Sequence, residues 1–169
     1  MAQRRPPRLS DDCYRGYGRY FLTICTLNRR EHFTSEAAVE PMRSELLRTS
    51  SDYRFEVTAY CAMPDHAHAL FGSLAEDCDF KRFVKMFKQR SAFHHKCRCG
   101  QKLWQDGYFD RVLRADEPTL DVVAYMLANP VKAGLCTDPH AYPFSGSSLY
   151  SLDESCDAVA ARPRGNWQP

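Results

Sequence analysis

The feature that most constrains the fold is a pair of strand-like runs separated by two residues. The first run, RFEVTAYCAM at residues 54–63, alternates apolar and polar side chains, as a half-buried strand does. The apolar positions are Phe55, Val57, Ala59 and Cys61. The second run, HAHALFGS at residues 66–73, follows the turn-forming pair Pro64-Asp65. Because two residues leave no room for a crossover connection, the runs predict an antiparallel hairpin.

Apolar periodicity places the other elements around this hairpin. A strand is predicted at 19–27, a helix at 34–50 with Thr34 or Ser35 as N-cap and a kink or late start at Pro41, a helix from Asp79 to about His95, a strand or strand pair in 103–114, and a helix in 116–135 that stops near Asn129-Pro130. The order is close to the split βαβ pattern. It predicts an α+β, ferredoxin-like antiparallel sheet with the helices packed on one face.

Length and composition favour a single domain over residues 1–169, since 44% of the residues are hydrophobic. We expect a core at about 19–150, a basic N-terminal arm at 1–18 and a polar, flexible tail at 152–169. No apolar run approaches the ~18 residues of a membrane span, and a cytoplasmic location is expected. The eight cysteines are expected to be reduced thiols.

Charge is distributed unevenly along the chain. The net charge is +2, yet the segment 80–98 contains no acid. Its basic residues are Lys81, Arg82, Lys85, Lys88, Arg90, Lys96 and Arg98. A basic stripe predicts a polyanionic partner, and a solvated helix face is the alternative.

Two histidines occupy alternate positions of the third predicted strand. His66 and His68 therefore share one face, roughly 6.6 Å apart along the chain. Two imidazoles so placed can share one cation, and the alternative is a pair of buried histidines with polar partners. On the last predicted helix, Tyr125 and Asn129 are four residues apart and also share a face. Taken singly, Tyr125 is also typical of half-buried packing, and Asn129 is typical of a helix end before proline.

A second candidate metal cluster lies in HHKCRC, residues 94–99. It contains four residues of the two types that most often bind zinc, histidine and cysteine, although their spacing matches no common zinc-binding pattern. They are His94, His95, Cys97 and Cys99. A chance cluster at a frayed helix end is the alternative interpretation.

The motifs MPDHAHAL, LWQDGYFDRVLR and YMLANPVKAGL, with the basic helix after the first, resemble the HUH single-strand DNA nucleases and transposases with one catalytic tyrosine. Within that superfamily the chain looks most like the REP-associated tyrosine transposases, relatives of the IS200/IS605-like transposases. The resemblance covers about residues 19–150. His66-Ala67-His68 supplies the histidine pair, and Tyr125 stands at the position of the catalytic tyrosine.

The resemblance implies a metal-dependent endonuclease and strand transferase that acts on single-stranded or hairpin DNA through a covalent 5′-phosphotyrosine. It implies Mg²⁺ or Mn²⁺ as cofactor, held by His66 and His68, with Asn129 as the third ligand. Asp65 stands where related sequences often have Asn, which adds a negative charge beside the pair.

The implied partner is DNA, and the basic segments are the expected contacts. The predicted DNA-binding residues are Arg4, Arg5, Arg8, Lys81, Lys85, Lys88, Arg90 and Trp104. Tyr14, Tyr17 and Tyr108 are further candidates for base stacking. We expect a nucleoid-associated monomer, in which HAYPFSGSSLY keeps the tyrosine helix in its own subunit. The alternative, by resemblance to insertion-sequence enzymes, is a dimer that exchanges this helix. The alternatives are an inactive ferredoxin-like nucleic-acid-binding module and the zinc protein centred on HHKCRC.

Overall fold

The computed structural model describes residues 9–151 and residue 157. It contains a five-stranded antiparallel sheet and three α-helices. The strands are β1 (Arg19–Cys25), β2 (Phe55–Met63), β3 (His66–Ser73), β4 (Phe109–Val112) and β5 (Ser145–Ser147), in the spatial order β4-β1-β3-β2-β5. The helices are α1 (Glu36–Asp52), α2 (Phe80–Cys99) and α3 (Thr119–Lys132). The predicted α+β antiparallel class is confirmed, and the predicted tail at 152–169 lies outside the described residues apart from Asp157.

The predicted hairpin is β2 and β3, which pair from Phe55 opposite Ser73 to Met63 opposite His66. The prediction of one apolar face along β2 is wrong, because the register shifts between Val57 and Ala59. This bulge adds one residue and reverses the side to which later residues point. Val57 consequently packs in the core beneath α1 and α2, whereas Ala59 packs on the opposite face of the sheet.

Two helices cover one face of the sheet through an aromatic core. Asp79 caps α2 by accepting a hydrogen bond from the backbone N–H of Arg82 at 2.9 Å. The phenylalanines of α2 then pack on β1 and β3, with the Phe80 ring stacked 4.3 Å from that of Tyr20. The helix continues four residues beyond the predicted end at His95, to Cys99, and Gly100 ends it in the left-handed conformation.

Helix α3 lies on the other face of the sheet. Because successive strand residues point to opposite faces, Phe21 faces away from Tyr20. Phe21 and Leu70 are fully buried against α3 residues Val122 and Met126. The expectation that the helices share one face therefore holds for α1 and α2, while the sheet is apolar on both sides and α3 covers the second.

Both α1 and α3 continue through a proline. Proline lacks the N–H that would bond to the carbonyl four residues earlier. For Pro41 that carbonyl belongs to Ala37, and the Arg98 guanidinium of α2 donates to it at 2.9 Å. In α3 the side-chain amide of Asn129 lies 3.4 Å from the Met126 carbonyl that Pro130 leaves without a donor. The predicted stop near Asn129-Pro130 is therefore wrong, and α3 ends at Lys132.

The segment after α3 returns to the edge of the sheet. Strand β5 pairs antiparallel with β2 from Ala59 opposite Ser147 to Cys61 opposite Ser145. The Tyr142 hydroxyl donates to the Ala62 carbonyl at 2.7 Å, which fixes the approach to the strand. Strand β5 is absent from the predicted elements, because a Ser-Gly-Ser strand carries no apolar alternation.

Candidate active site

The two histidines of β3 meet on the α3 face of the sheet. The Nε2 atoms of His66 and His68 are 3.1 Å apart, and the rings are nearly perpendicular, at 85°. His68 is only 6% exposed, and its ring stacks against Phe21 with centroids 5.4 Å apart. The two histidines therefore share a face of the sheet, as expected, and their Nε2 atoms also point toward each other.

The outer nitrogen of each ring has its own partner. His66 Nδ1 lies 2.6 Å from Asp65 Oδ1, and His68 Nδ1 lies 2.8 Å from Thr23 Oγ1. Such outer contacts fix the orientation of metal-binding histidines. Two nitrogens that occupy adjacent coordination positions of one cation, each ~2.1 Å from it, would be about 3 Å apart. The pair therefore has the spacing and the support that a shared divalent cation requires.

Burial keeps both imidazoles neutral, which is the form that binds metals. It lowers the pKa of His68 to about 3, with smaller contributions from His66 and Arg29. Burial also lowers the pKa of His66, although the neighbouring Asp65 carboxylate opposes this shift. The uncharged pair can therefore offer lone pairs at neutral pH.

Tyr125 lies on α3 beside this pair. Its ring packs edge-on to Phe21, with centroids 6.3 Å apart, and 6.4 Å from that of His68. Burial raises the pKa of Tyr125, and a hydrogen bond with the Asn129 side chain partly opposes the shift. The Lys132 ammonium lies 4.9 Å from the centre of the same ring. A phenol hydroxyl, an amide and an ammonium group thus follow one stripe of the helix.

Asn129 has a structural role in α3. Its Nδ2 donates to the Tyr125 carbonyl at 3.0 Å and lies 3.4 Å from the Met126 carbonyl. The amide thus satisfies backbone oxygens beside Pro130. With Nδ2 so occupied, Oδ1 is the atom of Asn129 that could face a cation.

The alternative cluster in HHKCRC does not converge. His94 Nε2 contacts Glu45 at 3.0 Å, whereas His95 packs against His32 with ring centroids 4.7 Å apart. Cys97 and Cys99 are exposed free thiols. Among the described residues, no group of three or more His, Cys, Asp or Glu side chains is placed to hold a metal.

Most of the predicted DNA contacts on α2 have partners within the protein. Lys81 pairs with Asp11, Lys88 donates to two backbone carbonyls of the loop before β4, and Arg90 pairs with Asp52. Lys85 is exposed. All four lie on the helix that covers the face opposite the histidine pair, so the fold does not bring them to Tyr125. Arg4, Arg5 and Arg8 lie outside the described residues.

The aromatic residues predicted to stack on DNA bases differ in how exposed their side chains are. Trp104 is 3% exposed and donates to Ser91 Oγ at 2.9 Å, so it is a core residue and not a base-stacking surface. Tyr14 is also 3% exposed, because it packs on Tyr20 and Phe80. Tyr17 is 73% exposed, and Tyr108 is half-buried beside Lys88.

Sequence reasoning missed two residues that support the site. Thr23 contacts His68 only because β1 and β3 pair in the register that places them opposite each other. Arg29 lies in a 3₁₀ turn after β1, and its Nε is 2.7 Å from Asp65 Oδ2. Neither contact has a signal in residue spacing, since both depend on segments distant in the chain.

An antiparallel α+β sheet that presents a histidine pair to a tyrosine on a covering helix defines a single-tyrosine DNA transposase arrangement. The chain belongs to the family described as transposase, IS200-like, whose model matches residues 17–128. Members of this family are tyrosine transposases, enzymes that cleave and transfer DNA strands.

The relatives agree with this assignment. A REP-associated tyrosine transposase of Escherichia coli K12 is 27% identical over 156 residues, covering 86% of this chain and 92% of the relative. The solved structure of a REP-associated tyrosine transposase bound to a REP hairpin superposes with a TM-score of 0.67 at 25% identity. That match covers 86% of this chain and 82% of the other. In the part of the chain that the structure describes, no helix has the length and apolarity needed to cross a bilayer.

Proposed function

We propose that this protein is a metal-dependent endonuclease and strand transferase for single-stranded hairpin DNA, acting through a covalent 5′-phosphotyrosine at Tyr125. The observation that carries the proposal is the packing of the Tyr125 ring beside His68, whose Nε2 lies 3.1 Å from that of His66. The proposed nucleophile and a potential cation site thus lie side by side on the same face of the sheet.

The residues present fit a divalent cation, which we propose to be Mg²⁺ or Mn²⁺. His66 and His68 would hold it through Nε2, with Asn129 Oδ1 as the third ligand. When bound, such a cation polarises a phosphodiester and stabilises charge on a departing oxygen. The chain contributes Asp65 and Thr23, which hold the two rings in the orientation that directs both Nε2 atoms inward.

In the proposed reaction the Tyr125 hydroxyl oxygen attacks the phosphorus and releases its proton to solvent. The bond from phosphorus to the 3′ oxygen breaks, and that oxygen takes up a proton from solvent. The products are a 5′-phosphotyrosine and a free 3′ hydroxyl. Because the raised pKa of Tyr125 keeps the phenol neutral at rest, proton loss accompanies the attack. Attack by a 3′ hydroxyl on the phosphotyrosine reverses the step and joins strands without ATP.

A REP-like hairpin is the proposed substrate, because a structural relative is described as bound to one. Lys85, with Arg4, Arg5 and Arg8, remains in the proposed contact set. Lys81, Lys88 and Arg90 would have to exchange protein partners for phosphates. Action on chromosomal hairpins would place the protein at the nucleoid.

We propose that the protein acts as a monomer. Helix α3 packs on Phe21 and Leu70 of its own sheet, and β5 then pairs with β2 of that same sheet. The chain on both sides of Tyr125 is thereby attached to one subunit, which favours a tyrosine that works in its own chain.

The test is incubation of the full chain with labelled hairpin DNA in Mg²⁺ or Mn²⁺, followed by a denaturing gel and mass spectrometry. Wild type should form an adduct that maps to Tyr125. Tyr125→Phe should abolish the adduct while DNA binding persists, because only the nucleophilic oxygen is removed. The matched control is Tyr17→Phe, an exposed tyrosine that should still yield the adduct.

Two outcomes would contradict the proposal. An adduct that persists in Tyr125→Phe would assign the nucleophile to another residue. DNA binding by wild type without any adduct, across several hairpins, would favour the inactive nucleic-acid-binding module.

A further inference from the structure

A chain of ion pairs runs from a surface loop into the histidine pair. Arg29 Nε lies 2.7 Å from Asp65 Oδ2, and Asp65 Oδ1 lies 2.6 Å from His66 Nδ1. Each oxygen of one carboxylate therefore has its own partner. With both oxygens occupied, the carboxylate is fixed in rotation, and it holds the His66 ring with Nε2 directed at His68.

The loop that carries Arg29 has a costly backbone conformation. Asn28 and Arg29 both have φ of 56°, in the left-handed region that residues with a Cβ rarely adopt. Thr26 holds this turn, because its hydroxyl is 2.7 Å from the Arg30 carbonyl and 2.9 Å from that of Asp65. Such conformations persist only where the surroundings enforce them. The loop and Asp65 thus form one connected unit.

We propose that Arg29 is a positioning residue for the histidine site, acting on His66 through Asp65. The inference rests on the proposed function and deepens it. Without Arg29, the Asp65 carboxylate is free to rotate and no longer fixes the His66 ring. The planar, positively charged guanidinium of Arg29 holds Oδ2 on the outer side, so Oδ1 stays on His66 Nδ1 and the imidazole keeps its orientation as a ligand.

Positioning and simple electrostatics predict opposite effects of removing Arg29. A guanidinium repels a nearby cation, so its loss would strengthen metal binding if charge alone mattered. If Arg29 positions Asp65, its loss frees the carboxylate and the His66 ring, and metal binding weakens. The direction of the change therefore discriminates between the two roles.

The experiment is a calorimetric titration of the full chain with Mn²⁺ in the absence of DNA. Arg29→Ala should weaken Mn²⁺ binding about tenfold, as removal of outer-shell partners of metal ligands typically does. The matched control is Arg30→Ala, which removes the same charge from the next residue, whose guanidinium contacts Gln101 at 3.4 Å instead of Asp65. Arg30→Ala should leave the affinity within about twofold, since only exposed charge is lost.

A second measurement tests the route through Asp65. Asp65→Asn should also weaken Mn²⁺ binding, and Arg29→Ala added to Asp65→Asn should have little further effect, because the two residues act in one chain. Nitrogen-15 NMR of the metal-free protein should show the His66 proton on Nδ1 in wild type and distributed over both nitrogens in Arg29→Ala. A purely structural role of Arg29 would not change this tautomer signature.

The outcomes separate this inference from the proposed function. Wild type that binds no Mn²⁺ would overturn the metal site and the inference together. Wild type that binds Mn²⁺, with Arg29→Ala equal or tighter, would overturn the inference alone, as would additive effects in the double variant. If Arg29→Ala fails to fold by circular dichroism, Arg29→Lys replaces it: the shorter-reaching ammonium should weaken binding, and wild-type affinity would contradict the positioning role.

Discussion

Two histidine pairs in this protein have the same ring separation but different surroundings. The ring centroids are 4.7 Å apart in both pairs. One pair is His66 and His68 on β3, and the other is His32, in the loop before α1, with His95, near the end of α2. In the first pair the outer nitrogens contact a carboxylate and a hydroxyl. In the second pair, as far as the structure describes the chain, the buried Nε2 atoms have no hydrogen-bond partner.

The difference shows that proximity of two imidazoles does not by itself make a metal site. Burial lowers the pKa of both His32 and His95, and the nearby charges of Arg30 and Arg98 respectively add to these shifts. A cation there would be repelled by both arginines. The β3 pair also has an arginine nearby, Arg29, but the Asp65 carboxylate lies between Arg29 and His66 and offsets this repulsion.

The largest expected effect is on catalysis and separates the two pairs directly. His68→Ala should lower single-turnover hairpin cleavage by at least about 100-fold, since several kcal/mol of transition-state stabilisation would be lost. His95→Ala should change the rate by less than about twofold, because no metal is expected there. Equal losses in the two variants would show that the pairs do not differ in function.

A smaller effect is expected from the hydroxyl that supports the β3 pair. Thr23→Val should weaken Mn²⁺ binding about tenfold in a calorimetric titration, because the outer nitrogen of His68 loses its partner while the side-chain shape is kept. Thr23→Ser retains the hydroxyl and is the control, with binding close to wild type. Wild-type affinity in Thr23→Val would mean that ring spacing alone suffices.

The His32–His95 pair is expected to lower the free energy of unfolding of the protein. His95→Leu should raise the free energy of unfolding by about 1 kcal/mol in urea denaturation, because a buried nitrogen without a partner is removed. The control is His94→Leu on the same helix, which loses the 3.0 Å contact with Glu45 and should lower stability. A large destabilisation by His95→Leu would imply that the pair makes an interaction of structural value.

The smallest effect tests whether α2, which carries His95, contacts DNA at all. Lys85→Ala should reduce the slope of log binding constant against log salt by about 1 if that lysine neutralises one phosphate. Gln89→Ala, an exposed neutral position on the same helix, should leave the slope unchanged. An unchanged slope in Lys85→Ala would exclude this face of α2 from the DNA surface.

The hairpin, the helices and the shared face of His66 and His68 could be predicted because each follows from local periodicity. The contacts of Thr23 and Arg29 could not, because they depend on strand register and on a left-handed loop that no local pattern specifies. The bulge in β2 could not be predicted either. Apolar residues continue at every second position of the strand, although the bulge reverses the face of the sheet to which they point. The continuation of α3 through Pro130 required the Asn129 amide to bond backward, which competes with the usual role of Asn as a helix terminator.

The attachment of β5 to β2 has a consequence for the stoichiometry of the proposed reaction. Tyr125, the proposed nucleophile, lies in the chain between the strands that precede α3 and β5, which joins the same sheet after it. With this one proposed nucleophile held in its own subunit, each chain would carry a single DNA 5′ end at a time. An exchange that involves two ends then requires either two molecules or two successive rounds by one molecule. The number of protein chains in one recombination event would therefore equal the number of DNA 5′ ends that are covalently attached at the same time.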